Sequence, residues 1–248
     1  MSVLKSSIKR ALPPGAYNYL REQKNLWACR KKRLVPQGRD RSQVFASFYG
    51  TSLWGSHESS SGPGSTLEQT KRLRAALPTL LKKYRISTML DIACGDWNWM
   101  SHLHLPLTRY IGADLVAPLI ERNQDRYGDQ RHSFLALDAV MDDLPKVDLI
   151  FSRDTLDHLP LADVLTALRN FKSSGSTYLL MTHYPAARRN HDIRAGNWRP
   201  LNFLRAPFRL PPPIEIIDEG PYEFTIIGPR TMALWALDRL PMLAPKTS

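Results

Sequence analysis

The stretch MLDIACGDW (residues 89–97) decides the fold, because an apolar run leads directly into a tight turn with one glycine and two carboxylates. The run STMLDIA (87–93) has the length and composition of a buried strand. A strand that ends in such a turn is typical of the first unit of an α/β sheet. Ligands of such sheets bind at the carboxyl ends of the strands, so we expect the site here.

The chain beyond this turn alternates between strand-like and helix-like segments. Further strands are predicted at RYIGAD (109–114), HSFLALD (132–138), KVDLIFS (146–152) and STYLLMT (176–182). Helices are predicted over 66–84, from about 97, over 117–128 and over 161–175. The segments PIEIIDEG, YEFTIIG and TMALWALD near the end are strand-like, with no helix between them. We therefore predict a doubly wound, mostly parallel α/β sheet that finishes in an antiparallel hairpin.

Composition excludes several other classes of protein. The 248 residues are 43% hydrophobic and contain no apolar run long enough for a membrane-spanning helix. Two cysteines, Cys29 and Cys94, cannot form a disulfide framework or a four-cysteine zinc site. The first residues lack the apolar core of a secretory signal, so we expect a cytoplasmic protein.

The positive charge is concentrated in the N-terminal part of the chain. Residues 1–50 hold eleven Lys or Arg against Glu22 and Asp40, which accounts for +9 of the net +11. We interpret residues 1–44 as a basic, helical N-terminal extension and 45–248 as the α/β domain. Residues 1–41 could contact an anionic membrane at its inner face, or an acidic partner, with nucleic acid disfavoured because no RNA-binding module accompanies them. The alternative is that these residues form a solvent-exposed helix that binds neither a membrane nor a partner.

The first turn indicates which cofactor the sheet binds. A dinucleotide site would need G-x-G-x-x-G, whereas this turn offers Gly95 with Asp91, Asp96 and the indole of Trp97. Carboxylates repel a diphosphate but suit an ammonium and a sulfonium, as in S-adenosylmethionine. Asp114 ends the second strand, where it can accept both ribose hydroxyls. Asp138 ends the third, where it can accept from the adenine amino group while Ala139 packs on the ring. The alternative is three unrelated helix caps.

The motifs MLDIACGDWNWM, YIGADLV, LALDAV and FSRDTLDHLP resemble those of class I S-adenosylmethionine-dependent methyltransferases, over residues 66–182. WGSHESSSGPGSTLEQT, CGDWNWM, RDTLDHL and NWRPLNF are similar to a bacterial group of unknown methyl acceptor. The resemblance implies a Rossmann-like, seven-stranded sheet with one antiparallel strand. It also implies a cofactor site whose residues in this sequence are Asp91, Ala93, Gly95, Asp96, Trp97, Asp114, Leu115, Asp138, Ala139, Arg153 and Trp54. Ala93 and Trp97 depart from the common glycine-rich form, and Trp97 is expected to narrow the pocket.

The methyl acceptor is less well defined by the sequence. The segment after the fourth strand lacks the Asp/Asn-Pro-Pro-aromatic turn of base and glutamine N-methylation, and neither cysteine is placed for cytosine C5 chemistry. We expect metal-independent transfer to a hydroxyl, carboxyl or amine of a small molecule or glycan. Candidate bases are Asp154 and His158, four residues apart, and His183 at the end of the fifth strand.

Two loops are expected to complete the site. Residues 45–65 are interpreted as a flap over the cofactor, and residues 183–213 as an acceptor-side insertion. In the insertion, Asn197, Trp198 and Arg199 combine a stacking surface with a fixed cation, which suits a substituted sugar; a lid that packs on the sheet edge is the alternative. An RNA or protein methyltransferase that uses the basic arm, and a noncatalytic cofactor-binding scaffold, remain as the competing functions.

Overall fold

The computed structural model describes residues 40–51, 56–220 and 228–241. Predictions for residues 1–39, for Trp54 and for most of YEFTIIG lie outside the described residues. The described helices are α1 (Arg41–Thr51), α2 (Lys71–Lys83), α3 (Ala117–Tyr127) and α4 (Leu161–Ser173). The strands are β1 (Thr88–Ile92), β2 (Arg109–Asp114), β3 (His132–Ala136), β4 (Leu149–Ser152), β5 (Tyr178–His183), β6 (Glu215–Asp218) and β7 (Thr231–Ala236).

The seven described strands form one sheet in the order β3-β2-β1-β4-β5-β7-β6. The neighbours from β3 to β5 are all parallel. β7 runs antiparallel both to β5 and to β6. The predicted Rossmann-like sheet with an antiparallel C-terminal strand pair is therefore confirmed. The chain order reverses between β1 and β4, which is where such a sheet opens a crevice for a ligand.

Helices cover both faces of the sheet, because successive strand residues point to opposite sides. Leu90 and Ile92 of β1 pack with the apolar side of α4, including Leu168 and Phe171. Met89, one residue away, joins a second cluster with the leucines of α2. Burial on both faces explains why the central strands read as continuous apolar runs.

Two helix predictions are corrected by the structure. The helix predicted from residue 66 begins at Lys71, since Thr66 closes a short 3₁₀ turn instead. The helix predicted from about 97 is a single 3₁₀ turn at Met100–His102. The positive φ of 57° at Trp97 interrupts a right-handed helix at that point.

Helix α1 crosses the boundary that the charge pattern suggested between residues 44 and 45. Its Val44 and Phe48 are both 2% exposed, so this helix packs on the sheet domain. Gly196 faces them closely, and a Cβ on that residue would overlap with Phe48. Among the described residues, no helix has the length and apolar character needed to cross a membrane.

Candidate active site

A cavity of about 430 Å³ opens at the carboxyl ends of β1, β2 and β4. Its volume is in the range of sites for small ligands. Predicted cofactor residues that line it are Asp91, Ala93, Gly95, Asp114, Leu115, Asp138, Ala139 and Arg153. Predicted acceptor-side residues that line it are Asp154, His158 and Trp198.

Asp91 is a buried carboxyl group in the floor of the cavity. Its Oδ2 accepts a hydrogen bond from the hydroxyl of Tyr110 at 2.6 Å. Burial raises the pKa of Asp91 to about 7, although the Tyr110 hydrogen bond and the charge of Arg153 oppose the change. A cationic ligand group beside Asp91 would stabilise its ionised form.

The turn after β1 brings backbone and carboxylate groups together. Gly95 has a φ of +60° and donates its N–H to Asp114 Oδ2 at 3.2 Å. Asp114 Oδ1 accepts the N–H of Val116 at 3.0 Å. Burial raises the pKa of Asp114 to about 6, and the backbone donors oppose that rise. At neutral pH this carboxylate is an acceptor that could bind vicinal hydroxyls.

Asp138 lies at the other end of the cavity, beyond β3. Its Oδ1 accepts the N–H of Val140 at 2.8 Å. Its Oδ2 accepts from Nη2 of Arg41 on α1, also at 2.8 Å. A second nitrogen of the same guanidinium, Nη1, donates to Asp163 at 2.7 Å. Arg41 was not predicted from the sequence as a cavity residue, because its position belongs to the basic N-terminal run.

A serine-rich loop covers the turn, and Asp96 holds it there. The carboxylate of Asp96 accepts hydrogen bonds from the hydroxyls of Ser59 and Ser61 and from the N–H of Ser60. The N–H of Asp96 in turn donates to the hydroxyl of Ser61 at 2.9 Å. Asp96 therefore anchors the predicted flap and does not line the cavity itself. Ser61, Gly62, Pro63, Gly64 and Ser65 of this flap do line it.

On the acceptor side, the 183–213 stretch and the short helix Leu156–His158 are bound to each other. Nδ1 of His158 lies 3.1 Å from the carbonyl oxygen of Asn197. Since a carbonyl can only accept, this contact assigns the proton to Nδ1, and a neutral ring then has its lone pair on Nε2. The indole Nε1–H of Trp198 donates to Asp157 Oδ2 at 2.8 Å. These contacts fix the ring of His158 and the plane of Trp198 at the cavity wall.

Behind Asp154 lies a buried network of two arginines and two acids. Glu219 accepts from Arg153 and from Arg230, each at 2.8 Å, and these three side chains are at most 4% exposed. Arg230 also pairs with Asp154 Oδ2 at 2.5 Å, and Arg153 donates to the carbonyl of Gly64 in the flap. Burial alone would raise the pKa of Asp154, but the charges of Arg230 and Arg153 outweigh it, so this pKa lies below its ordinary value. Glu219, directly after β6, and Arg230, directly before β7, were not predicted from the sequence.

Trp97 does not narrow the pocket as predicted. It is 8% exposed and packs within 5.5 Å, between ring centroids, of Tyr110, Tyr127 and Phe134 on the other side of the turn. Its positive φ directs the side chain away from the cavity. Trp99 lines the cavity instead, with the guanidinium of Arg153 5.5 Å from its ring centroid.

His183, Asn197 and Arg199 are likewise outside the cavity lining. His183 is 1% exposed, accepts from the N–H of Phe203, and has a pKa lowered by burial to about 4. Arg199 is 1% exposed and donates to the carbonyls of Leu156, Leu159 and His191. Asn197 contributes its carbonyl to His158 rather than its side chain to a ligand. His183 was predicted as a base, and Asn197 and Arg199 as acceptor-binding residues. In the structure the contacts of all three hold the 183–213 stretch to neighbouring parts of the chain.

The part of the chain that the structure describes contains no group of three or more His, Cys, Asp or Glu side chains that could hold a metal ion. Its one described cysteine, Cys94, lines the cavity beside Gly95. Burial raises the pKa of its thiol well above the ordinary value, so the thiol is protonated at neutral pH.

A sequence profile described as a methyltransferase domain matches residues 90–174. No curated protein sequence matches the chain. The matched segment begins within β1 at Leu90, extends past α4, and contains the four aspartates that line the cavity, Asp91, Asp114, Asp138 and Asp154.

Several solved structures share the fold. One is the N-methyltransferase NodS from Bradyrhizobium japonicum WM9 in complex with S-adenosyl-L-homocysteine, with a TM-score of 0.56 and 16% identity over 79% of this chain and 98% of that one. Another is magnesium protoporphyrin IX methyltransferase (ChlM) from Synechocystis PCC 6803 with bound SAM, with a TM-score of 0.52 and 11% identity over 82% and 99%. The methyltransferase domain of bacterial CtHen1 has a TM-score of 0.52 and 15% identity over 69% and 98%. At identities of 16%, 11% and 15%, the similarity of these structures to this chain shows a shared fold.

Proposed function

We propose that this chain, a class I S-adenosylmethionine-dependent methyltransferase, methylates a hydroxyl, carboxyl or amine of a small molecule or glycan without the help of a metal ion. The observation that carries the proposal is the position of His158. Its ring is held by the carbonyl of Asn197, beside Trp198 and Asp154, in the same cavity as the three strand-end aspartates.

The residues of the cavity fit the cofactor. Asp91 and the flap from Ser61 to Ser65 lie around the turn, where an amino-acid group would need a carboxylate and hydrogen-bond donors. Asp114 is the acceptor for the ribose hydroxyls, and Asp138 with Ala139 forms the adenine end. When bound, S-adenosylmethionine supplies a methyl group on a positively charged sulfur.

The chain's own contribution to the reaction is to orient the acceptor and to remove its proton. With the proton on Nδ1, His158 can accept the acceptor's proton at Nε2. Asp154, kept ionised by Arg230 and Arg153, stabilises the imidazolium that results. Trp198 offers a ring face on which a flat or sugar-like acceptor can stack, with Phe45 and Tyr49 of α1 across the same cavity.

A small acceptor is favoured by the way the cavity is enclosed. Residues of the flap and of helix α1 line the cavity, whose volume of about 430 Å³ is in the range of sites for small ligands. NodS is an N-methyltransferase and ChlM acts on magnesium protoporphyrin IX, so this fold accommodates such acceptors elsewhere.

We also propose that the protein is cytoplasmic and that the basic N-terminal residues contact an anionic surface, as their charge favours. Within the predicted 1–41 segment, Arg41 is committed to Asp138 and Asp163, so residues 1–39 would supply the contact. Sedimentation with phosphatidylserine vesicles tests this: binding that falls between 50 and 300 mM salt is expected. Equal binding to neutral phosphatidylcholine vesicles would contradict it.

The methyl-transfer proposal is tested by calorimetry and then by an acceptor screen. Wild-type protein should bind S-adenosylhomocysteine, and Asp114→Ala should weaken that binding. A screen for transfer of labelled methyl groups would then cover amino sugars, sugar alcohols, phenols and carboxylic acids. With the acceptor found, His158→Gln should lower kcat by a factor of about 10² to 10⁴.

The matched control for this substitution is His104→Gln, an exposed histidine outside the cavity lining. It should leave kcat unchanged. A wild-type kcat in His158→Gln, with cofactor binding intact, would remove His158 from the proposed chemistry. Failure of folded wild-type protein to bind S-adenosylhomocysteine would contradict the cofactor site itself.

A further inference from the structure

Arg41 is the one described side chain of the N-terminal basic run that reaches into the cavity wall. It is the first residue of α1, and its guanidinium bridges two carboxylates from different parts of the domain. Nη2 lies 2.8 Å from Asp138 Oδ2, and Nη1 lies 2.7 Å from Asp163 Oδ2 on α4. The side chain of Arg41 is only 17% exposed, so water screens these ion pairs incompletely.

Helix α1 holds Arg41 in this position through both of its sides. Arg41, Phe45 and Tyr49 are four residues apart, which places them on one helix face, and all three line the cavity. Val44 and Phe48, on the adjacent face, pack closely against Gly196. Tyr49 also lies 3.3 Å from the hydroxyl of Ser61, between their oxygens. The helix is thus fixed to the flap and to the 183–213 stretch at once.

We propose that Arg41 is a cofactor-binding residue, which closes the adenine end of the cavity and recognises adenine jointly with Asp138. Asp138 keeps unused lone pairs on both carboxylate oxygens, which can accept from the adenine amino group. The nitrogen of Arg41 that lies beside Asp138 is Nη2, which carries two N–H groups and donates one of them to Asp138 Oδ2. An acceptor beside Asp138 would take the second N–H, and adenine has a ring nitrogen next to its amino group.

The arrangement therefore places an acceptor and a donor side by side, which complements the amino and ring-nitrogen edge of adenine. Hypoxanthine presents the opposite pattern, a carbonyl oxygen beside a ring N–H, so the same pair of residues rejects it. This inference rests on the cofactor assignment above, and it adds a residue that lies outside both the strand-end motifs and the matched segment 90–174.

Binding of S-adenosylhomocysteine tests the proposal without knowledge of the methyl acceptor. Arg41→Met should raise its Kd by about tenfold or more, the loss expected for a charge-assisted hydrogen bond in a largely buried position. The control Arg122→Met, at an exposed position on α3 outside the cavity lining, should leave Kd unchanged. Asp163→Asn removes one anchor of Arg41 without touching the cavity lining, and it should raise the dissociation rate by a smaller factor, about threefold.

The second measurement is discrimination between S-adenosylhomocysteine and S-inosylhomocysteine. Wild type and Arg122→Met should prefer the adenine compound strongly, whereas Arg41→Met should lose about tenfold of that preference. A merely structural role of Arg41 would weaken both ligands equally and would overturn the proposal. Tighter binding by Arg41→Met would overturn it too, because Arg41 would then occupy the place of the adenine amino group.

Circular dichroism and thermal melts establish that each variant is folded. If Arg41→Met does not fold, Arg41→Lys replaces it, since lysine keeps the charge but cannot span Asp138 and Asp163 with a planar fork. The same loss of preference for adenine is then expected, and unchanged preference contradicts the inference. No binding by folded wild-type protein would instead contradict the proposed function, so the two failures are distinguishable.

Discussion

If Asp91 faces the amino-acid group of the cofactor, as we propose, its buried carboxyl group should make cofactor affinity depend on pH near neutrality. In the free protein its pKa is about 7, because burial disfavours the ionised form. A bound amino-acid ammonium favours the ionised form, so the pKa of Asp91 is lower in the complex. The free protein therefore holds the proton more tightly than the complex does, and affinity falls as pH falls through 7.

The size of the effect follows from the fraction of free protein that is ionised. Between pH 8 and pH 6 this fraction falls from about nine-tenths to about one-tenth for a group of pKa about 7. The association constant should fall by about tenfold over the same range. Close to pH 7, binding should release about half a proton, since Asp91 is then half protonated before the ligand binds.

Isothermal titration calorimetry with S-adenosylhomocysteine measures both quantities, because the ligand's amino-acid ammonium stays protonated between pH 6 and 8. Titrations in buffers of different ionisation enthalpy give the number of protons released. Asp91→Asn keeps an acceptor for the Tyr110 hydroxyl but cannot ionise. It should bind more weakly than wild type at pH 8, approach wild type at pH 6, and release almost no proton at pH 7.

The control for the Asp91→Asn titration is Asp125→Asn, at an exposed position on α3, which should keep the pH dependence of wild type. Affinity that is flat from pH 6 to 8 in wild type would refute the argument, because Asp91 would then be ionised before the ligand arrives. A tenfold change that persists in Asp91→Asn would assign the titration to another group. Asp114, with a pKa of about 6, should contribute mainly below pH 6.

Two further substitutions have matched controls in the same chain. Glu219→Gln leaves two buried guanidiniums to share one carboxylate, that of Asp154, and should cost about 3–5 kcal/mol of unfolding free energy in urea titrations. Glu215→Gln, whose lysine partner is 57% exposed, should cost at most about 1 kcal/mol, and equal losses would contradict the argument. Gly95→Ala places a Cβ against the Ser61 hydroxyl at positive φ and should abolish binding of S-adenosylhomocysteine. Gly175→Ala, also at positive φ but with its Cβ in ordinary contact with Lys146 Cδ at 3.8 Å, should cost only about 1 kcal/mol of stability and bind normally.

The sequence predicted the sheet well, because the strands around the switch point carry their signal locally. Buried apolar runs, each followed by an acid or a tight turn, locate each strand to within one or two residues of its observed end. Asp91, Asp114 and Asp138 could therefore be assigned to one edge of the sheet from the chain alone. The structure places all three in the cavity lining.

Side-chain direction in the turns could not be predicted in the same way. The sequence contains Trp97 and Trp99 in one loop, and nothing in their spacing shows which indole faces the ligand. The positive φ at Trp97 reverses the expected direction, so Trp97 joins the aromatic cluster and Trp99 reaches the cavity. Periodicity applies to regular helices and strands, and a residue in the left-handed region follows neither pattern.

Several charged side chains of the cavity form ion pairs with residues from distant parts of the chain. The local sequence motifs therefore could not predict these ion-pair partners. The segment 90–174 contains Asp138, Asp154 and Arg153, and apart from the Arg153–Asp154 contact their ion-pair partners lie outside it. Arg41 pairs with Asp138 from the N-terminal side, while Glu219 and Arg230 balance Arg153 and Asp154 from the C-terminal strands. A buried charge without such a partner is strongly destabilising, so these flanking segments are required for the site to exist. The matched segment supplies the four aspartates of the cavity, and the flanking segments supply the flap, Trp198 and helix α1 that line the same cavity.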